Sequence, residues 1–242
     1  MIDQSITRGN YKPEIDGLRG LAVLAVIINH FNSDLLPSGY LGVDIFFVIS
    51  GYVITSSLKK RKSDGFWSFI IDFYKRRIRR IFPALFSCVL LSSFAAFLIV
   101  PQPQTIIRTG ISSLFGISNL YLYQNSLSYF TEDAYLNIFT QTWSLGIEVQ
   151  FYFVFPIIFW FSGILNNSKE GSENLLKITI TLASISLLFY LIISPIKPNA
   201  AYYLIPFRLW EITNGCIIFI LQEQKEELVE RIKRLPSLGI IS

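Results

Sequence analysis

The sequence predicts an all-α integral membrane protein, a polytopic bundle whose helices cross the bilayer several times. Hydrophobic residues make up 52% of the 242 residues and charged residues only 16%, whereas soluble domains carry about 25% charged residues. The mean hydropathy is +0.47. The aromatic share of 15% suits a surface that faces lipid, with Trp and Tyr near the interfaces. One membrane domain accounts for residues 1–242, and no soluble domain is visible.

Length and hydrophobicity predict six membrane spans. They run over about 18–35, 40–58, 81–100, 142–163, 175–194 and 207–222. The stretch 108–124 is apolar but is interrupted by Ser, Gly and Asn, so we expect an interfacial or re-entrant helix, with an extra span as the alternative. A seventh span is expected to begin near Leu235, yet the chain stops at Ser242, which suggests a truncated or partial product.

Basic residues in the short loops predict the orientation of the chain. The segment 59–80 holds nine basic residues against two acidic ones and is therefore expected in the cytoplasm. The loops 32–40 and 195–206 carry one basic residue between them and are expected outside. The polar N-terminus lacks a cleavable signal, so the first span is an uncleaved anchor in the inner membrane with the N-terminus cytoplasmic.

The remaining composition excludes several classes of partner. The net charge of +4 is small and unevenly placed, so no nucleic-acid partner is expected. Cys88 and Cys216 each lie in an apolar segment and form no metal-ligand spacing. We expect both to be small buried apolar residues, and we expect no metal site.

The first predicted span carries the most informative residues. Arg19 and His30 are separated by ten residues that are nearly all apolar, and His30 is the only histidine in the chain. Eleven helical steps return almost to the starting angle, so both side chains share one helix face about 16 Å apart. Charged groups inside membrane helices normally face a cavity or a substrate path. The pattern therefore predicts chemistry in the first helix.

The second span holds a candidate carboxylate, Asp44, near the depth of His30. A carboxylate beside an imidazole fixes its tautomer and raises its pKa, which suits a general base. Ser50 and Gly51 lie further along the same span. Their small size permits close helix approach, and a catalytic role for Ser50 as a covalent nucleophile is the alternative.

A basic run precedes the third span and has two explanations. Arg76, Arg77 and Arg80 belong to this run, which ends at Pro83. One explanation is topology, since basic loops stay inside and touch anionic lipid. The other is a phosphate clamp, because guanidinium groups bind phosphate through two parallel hydrogen bonds and Arg77 and Arg80 share a helical face.

Two further charged groups lie in apolar spans. Glu148 is a functional candidate because it sits within the fourth span, and a structural ion pair with Arg19 or Arg208 is the alternative. Arg208 and Glu211 are three residues apart at the start of the sixth span. Such a pair neutralises itself on one helix, so we expect it to be structural.

Five segments together resemble the acyltransferase family 3 of membrane O-acyltransferases, in the order that this family shows. They cover about residues 12–220. The segments are Arg19 with ten residues before His30, Phe46-Phe47-Val48-Ile49-Ser50-Gly51, the pair Arg77 and Arg80 before Pro83, Trp143-Ser144-Leu145 with Glu148 and Gln150-Phe151-Tyr152, and Phe207-Arg208-Leu209-Trp210-Glu211.

The resemblance implies transfer of an acyl group, usually acetyl, from cytoplasmic acyl-CoA to a hydroxyl of an extracytoplasmic glycan. Family members modify lipopolysaccharide O-antigen, peptidoglycan, capsule, exopolysaccharide or a small-molecule sugar. In the family pattern, the histidine matching His30 is catalytic and the arginine matching Arg19 is essential. The arginines matching Arg77 and Arg80 belong to the acyl-CoA side. Acetyl-CoA is then a donor substrate, and no permanently bound cofactor is implied.

These implications give a specific expectation for the site. Coenzyme A docks on Arg77 and Arg80, with Arg76 and Ser50 as further contacts on the donor side. His30 removes or relays the proton of the acceptor hydroxyl, and its imidazole is oriented by Asp44 or Glu148. Arg19 stabilises charge on the thioester oxygen or binds the coenzyme.

The sequence also departs from the family pattern. Members typically have ten spans and often a C-terminal SGNH-type hydrolase domain, whereas this chain supplies about six spans and no such domain. Gln141 stands where the family often has a histidine, two residues before the Trp-Ser-Leu block. An inactive remnant of an acyltransferase is therefore one alternative, and a membrane transporter or scaffold subunit that uses the same charges is another.

Overall fold

The computed structural model describes residues 12–61, 65–125, 137–166 and 169–233. Every regular element in these residues is helical, which confirms the all-α fold class. The α-helices are α1 (Pro13–Phe31), α2 (Gly42–Lys59), α3 (Phe66–Ile99), α4 (Gln104–Leu114), α5 (Ser118–Gln124), α6 (Thr142–Phe161), α7 (Lys169–Ile193), α8 (Pro198–Tyr203) and α9 (Ile205–Lys233). Short 3₁₀ turns at Gly39–Leu41 and Ile164–Asn166 precede α2 and follow α6.

Five helical stretches of the described chain are long and apolar enough to cross a membrane, which makes this a multi-pass membrane protein. They are Gly39–Lys59, Phe66–Ile99, Thr142–Phe161, Lys169–Ile193 and Pro198–Glu226. These stretches match five of the six expected spans. The seventh span, expected near Leu235, lies outside the described residues.

The expected first span differs from the observed helix α1. This helix begins at Pro13, so Glu14, Asp16 and Arg19 lie in its first two turns. Because of these three charged residues, α1 is not among the five stretches that are apolar enough to cross a membrane. It ends at Phe31, four residues before the predicted boundary. The reason is local: Asn32 is extended, and its side-chain oxygen accepts a hydrogen bond from the Asp34 amide, which favours a turn.

The apolar stretch 108–124 forms two short helices, α4 and α5, rather than one long one. They contain 11 and 7 residues, so neither has the length of a membrane span. Gly116 separates them with a φ of 68°, a backbone conformation that side chains larger than glycine rarely adopt. The interrupting small residues thus end a helix at this point.

Helices α2, α7 and α9 form the most closely packed part of the bundle, because α9 packs along both of the others. At the crossing of α2 and α9, a Cβ atom on Gly51 would overlap the carbonyl oxygen of Ile212. A Cβ on Gly215 would in turn overlap the carbonyl oxygen of Val48. The expectation that Gly51 permits close helix approach is confirmed.

Aromatic side chains fill the core around α6. Trp143, Phe155 and Phe159 are fully buried along this helix, and Trp143 packs edge-on against Phe47 of α2. In contrast, α3 and α7 keep most of their apolar side chains exposed, as expected for surfaces that face hydrocarbon. Cys216 is buried as expected, whereas Cys88 is exposed on the apolar surface of α3, so the prediction of burial was wrong for Cys88.

Candidate functional site

Two cavities lie at opposite ends of the α1–α2 pair. The first, here called the His30 cavity, has a volume of about 770 Å³. The second, here called the basic cavity, has a volume of about 580 Å³. The His30 cavity lies between the C-terminal half of α1, the first turns of α2 and the start of α6, and its lining includes Val26, His30, Phe47, Gln141, Ser144 and Glu148.

His30 is held in one tautomer by its own helix. Its Nδ1 atom lies 2.8 Å from the carbonyl oxygen of Val26. A carbonyl oxygen only accepts hydrogen bonds, so Nδ1 carries the proton and donates it. In the neutral ring, the basic lone pair is then on Nε2, which is the arrangement that a general base in this cavity requires.

Asp44 does not take the role that the sequence suggested for it. Its carboxylate accepts a hydrogen bond from Nη1 of Arg208 at 3.1 Å. The bond at Nδ1 of His30, which an orienting carboxylate would have accepted, goes to the carbonyl of Val26. The expectation that Asp44 orients His30 is therefore corrected: Asp44 faces the cation on α9.

The Arg208 group has three charged members instead of the expected two. Arg208 Nη1 also donates to Glu211 on the same helix, as the spacing predicted. The guanidinium lies over the rings of Trp143 and Tyr202, with distances to their centroids of 5.5 and 5.1 Å. Arg208 on α9 thus contacts Asp44 on α2 and Trp143 on α6, and Trp143 itself lines the His30 cavity.

Glu148 lies at the His30 cavity and is held by hydroxyl groups. Ser50 Oγ donates to one carboxylate oxygen at 2.5 Å, and Tyr152 donates to the other at 3.1 Å. Within the described residues, Glu148 has no ion pair with Arg19 or Arg208 inside 4.0 Å, so the structural ion pair offered as an alternative is not observed. Ser50 therefore acts here as a hydrogen-bond donor to Glu148, and it lines neither cavity.

The basic cavity collects cationic side chains from three helices and the residues beside them. Its five cations stand against three carboxylates, Asp16, Glu223 and Glu226, so its formal charge is positive. Lys59 is paired with Glu223 at 3.6 Å. The cations are Lys12, Arg19, Lys59, Lys60 and Arg80.

Arg19 belongs to the basic cavity, and His30 to the other one. Helix α1 is continuous between them, so the eleven residues correspond to about 16 Å along its axis. Arg19 lies 3.8 Å from Asp16, and its Nε atom is buried without a hydrogen-bond partner in the described chain. A buried donor left unsatisfied in this way costs free energy of folding.

The three arginines of the basic run separate in the structure. Arg80 is exposed and lines the basic cavity. Arg77 turns inward, and its guanidinium lies 4.7 Å from the ring centroid of Tyr152, the residue that binds Glu148. Arg76 is exposed, pairs with Asp72 at 3.6 Å and lines neither cavity. Arg77 and Arg80 therefore do not form the expected single clamp, because Arg80 lines the basic cavity and Arg77 packs on Tyr152.

Sequence reasoning missed a hydrogen-bonded chain along the basic cavity. Lys12 donates to the Tyr52 hydroxyl at 2.6 Å, and this hydroxyl donates to Gln222 at 2.8 Å. Lys59 and Lys60 had been interpreted only as topology signals, yet both line the cavity. Residues so far apart in the chain share no local spacing, so only the pairing of α1, α2 and α9 reveals them.

In the part of the chain that the structure describes, no group of three or more His, Cys, Asp or Glu side chains could hold a metal ion. The polar residues of the His30 cavity include Gln141 at the position where the sequence comparison expected a second histidine. His30 and Glu148 are the two residues in this lining whose side chains can act as a base.

Comparison with known proteins identifies the family of the chain. The family model for an acyltransferase domain (Acyl_transf_3) matches residues 12–169, which contain both His30 and Glu148. The chain belongs to this acyltransferase family. The resemblance inferred from the five sequence segments is thereby confirmed.

Two curated relatives show how far the similarity extends. O-acetyltransferase OatA of Staphylococcus aureus (strain NCTC 8325 / PS 47) is 36% identical over 218 residues, covering 86% of this chain and 34% of the relative. Peptidoglycan O-acetyltransferase OatA of Listeria monocytogenes is 34% identical over 211 residues, covering 86% of this chain and 33% of the relative. The chain therefore spans about a third of the length of these relatives. No solved structure matches the chain.

Proposed function

We propose that this chain is a membrane O-acyltransferase that moves an acyl group, in the first instance acetyl, from acyl-CoA to a hydroxyl of a cell-envelope glycan. Membership of the acyltransferase family supports the reaction class. The names of the relatives support acetyl as the group and peptidoglycan as the acceptor polymer. The multi-pass helices support a reaction at a membrane.

One observation carries the proposal: helix α1 places His30 in one cavity and Arg19 in another at its opposite end. A transferase that joins a soluble donor to an acceptor across a bilayer needs two entrances and a reacting centre between them. The positive charge of the segment 59–80 supports a cytoplasmic position for the Arg19 end. The donor would then enter at Arg19 and the acceptor at His30.

The positive charge of the basic cavity supports it as the binding site for the phosphates of acyl-CoA. Its five cations outnumber its three carboxylates, and guanidinium groups bind phosphate oxygens in pairs. Arg19 and Arg80 would hold the phosphates, with Lys59 and Lys60 beside them. The pantetheine arm would extend toward Glu148 in the lining of the His30 cavity and toward Ser50, its hydrogen-bond partner on α2.

The reaction itself requires one proton to move. Nε2 of His30 accepts the proton of the acceptor hydroxyl as the oxygen attacks the thioester carbonyl. The carbon–sulfur bond then breaks, and the departing thiolate receives the proton, which restores the neutral imidazole. Glu148 supplies negative charge toward the transient imidazolium, and Ser50 and Tyr152 hold this carboxylate in place.

The test is mass spectrometry of muropeptides and surface glycans from cells that express the 242-residue chain. We expect a mass gain of one acetyl group, and we expect it to vanish for His30→Ala at equal membrane level. A matched control is Asn32→Ala, which lies just beyond the end of α1 and outside the lining of both cavities. Equal acetylation by the wild-type and His30→Ala proteins would contradict the proposed chemistry.

A further inference from the structure

The two sides of the basic cavity differ in chemistry. Its cations come from the N-terminal end of α1, the C-terminal end of α2 and helix α3. The described part of α9 adds Phe219, Gln222, Glu223 and Glu226 to the lining and contributes no cation. Carboxylates repel phosphate groups, because charges of the same sign raise the free energy when they are brought together. The α9 side therefore suits a part of the ligand other than its phosphates.

An aromatic pair joins α2 to α9 at this cavity. Tyr52 and Phe219 both line it, their ring centroids lie 5.4 Å apart, and their ring planes meet at 79°. Each side chain is only half-buried, so part of the surface of the pair is accessible. Sites that bind nucleotides combine positive charge along the phosphates with aromatic rings on which the bases stack. The basic cavity contains both kinds of group.

The ring of Tyr52 is held in one orientation by its hydroxyl group. Lys12 Nζ donates a hydrogen bond to this hydroxyl at 2.6 Å, and the hydroxyl donates to Gln222 at 2.8 Å. The same Nζ lies 5.3 Å from the ring centroid, which is the distance expected for an ammonium beyond the hydroxyl rather than over a ring face. A ring fixed before a ligand arrives loses less conformational freedom on binding.

The α9 side also provides a hydrogen-bond acceptor beside the aromatic pair. Glu226 is exposed and lines the cavity, and one of its carboxylate oxygens accepts a hydrogen bond from Gln222 at 2.8 Å. An ionised carboxylate accepts several hydrogen bonds and donates none, so Glu226 can accept another one from a ligand. Adenine presents an amino group at its edge, which is a donor. Hypoxanthine has a carbonyl oxygen at that position, so Glu226 favours adenine.

We propose that Tyr52, Phe219 and Glu226 form a binding site for the adenine base of a nucleotide whose phosphates lie on the cations across the cavity. The ligand is the coenzyme A part of the acyl donor, and this assignment rests on the proposed function. A free adenine nucleotide presents the same chemistry, so the test must separate these two sources. The site would also distinguish acyl-CoA from an acyl group carried on phosphopantetheine alone, which lacks the base.

Direct binding to the purified full chain in a neutral detergent tests the site. The probes are coenzyme A, phosphopantetheine, adenosine diphosphate and inosine diphosphate, with affinities measured by microscale thermophoresis. We expect Tyr52→Leu to weaken binding of coenzyme A and of adenosine diphosphate about tenfold, which is the effect of losing one stacked ring. Phosphopantetheine has no base, so its affinity should stay unchanged. Tyr52→Phe keeps the ring and should retain most of the affinity.

The matched control is Tyr40→Leu, which removes an exposed tyrosine ring at the other end of α2, outside both cavity linings. Phe219→Leu should weaken the same probes as Tyr52→Leu, and it decides the matter if Tyr52→Leu does not fold. The wild-type chain should bind adenosine diphosphate more tightly than inosine diphosphate. Glu226→Leu should abolish this preference, and the ratio of the two affinities cancels the general effect of the lost charge on phosphate binding.

Three results would overturn the adenine site. They are equal effects of Phe219→Leu and Tyr40→Leu on coenzyme A and adenosine diphosphate at the wild-type thermal unfolding midpoint, an equal loss of phosphopantetheine binding, and equal wild-type affinities for the adenine and inosine nucleotides. A loss seen with adenosine diphosphate but not with coenzyme A assigns the site to a free nucleotide. Binding is measured without turnover, so the expected affinities together with absent acetyl transfer would contradict the proposed function alone.

Discussion

Ser50 on α2 donates a hydrogen bond of 2.5 Å to Glu148 on α6, and these residues are 98 positions apart in the chain. The bond joins the second helix to the wall of the His30 cavity. Because Glu148 is held by hydroxyl groups from Ser50 and Tyr152, its position does not depend on an ion pair with a fixed cation. We infer that the negative charge of Glu148 is therefore available to stabilise the positive charge that would develop on His30.

Removal of these hydroxyl groups should impair turnover more than folding. Ser50→Ala and Tyr152→Phe each take one hydrogen bond from a partly buried carboxylate, and we expect each to lower kcat about tenfold. The double variant should approach Glu148→Gln. Acetyl transfer from labelled acetyl-CoA measures this series. Ser87→Ala is the control, because the Ser87 hydroxyl donates to the carbonyl oxygen of Pro83 in its own helix; an equal loss of activity there would contradict the prediction.

Arg80 should contribute to donor affinity, because it lines the basic cavity. We expect Arg80→Gln to raise KM for acetyl-CoA about tenfold with a smaller change in kcat, since the side chain would contact phosphates far from the reacting carbonyl. Lys75→Gln removes an equal charge from an exposed position outside the cavity. If the two variants raise KM equally, the effect of Arg80 is general electrostatics and not specific binding.

The crossing of α2 and α9 should tolerate no added methyl group. Gly51→Ala and Gly215→Ala place a Cβ against a carbonyl oxygen of the facing helix, so we expect a destabilisation of about 3 kcal/mol or more. Gly20→Ala in α1 is the control, because a Cβ added at Gly20 would have no atom of a neighbouring element within 4 Å. Thermal unfolding in detergent measures all three, and similar midpoints for Gly20→Ala and Gly215→Ala would refute the close crossing.

Loss of the buried cation at Arg208 should be strongly destabilising. Arg208→Met leaves Asp44 and Glu211 without their shared partner, and breaking a buried ion pair from one side costs about 3–5 kcal/mol. The triple variant Arg208→Met, Asp44→Asn, Glu211→Gln removes the unpaired charges as well and should recover much of this loss. The unfolding midpoints of the two variants decide the matter: no recovery would mean that shape, rather than charge, is what Arg208 contributes.

The sequence alone determined the class of the fold and most of the spans. Runs of apolar residues of membrane length leave a backbone no alternative to helix, because every amide must be satisfied within the segment. The Ser, Gly and Asn residues within the apolar stretch 108–124 favoured an interfacial or re-entrant helix over an extra span. The ends of α1 were predicted less well, because charged residues extend the helix back to Pro13 and the turn at Asn32 ends it at Phe31.

The sequence also singled out a few charged residues in apolar spans, because such groups are rare there. Arg19, His30 and Glu148 stood out on this basis and lie at the two cavities. The partners of these residues were not predicted as well. Asp44 was assigned to His30 by depth along the helix, yet the rotation of α2 against α9 directs it to Arg208.

Only the tertiary structure decided which distant side chains meet. Spacing along one helix fixes which residues share a face, but it does not say which helix that face will contact. The glycine crossing of α2 and α9 sets their separation and so brings Lys12, Tyr52 and Gln222 into one hydrogen-bonded chain. The same packing sends Arg80 to a cavity and Arg77 to a stack on Tyr152, because contacts between helices depend on volume and orientation that no local pattern records.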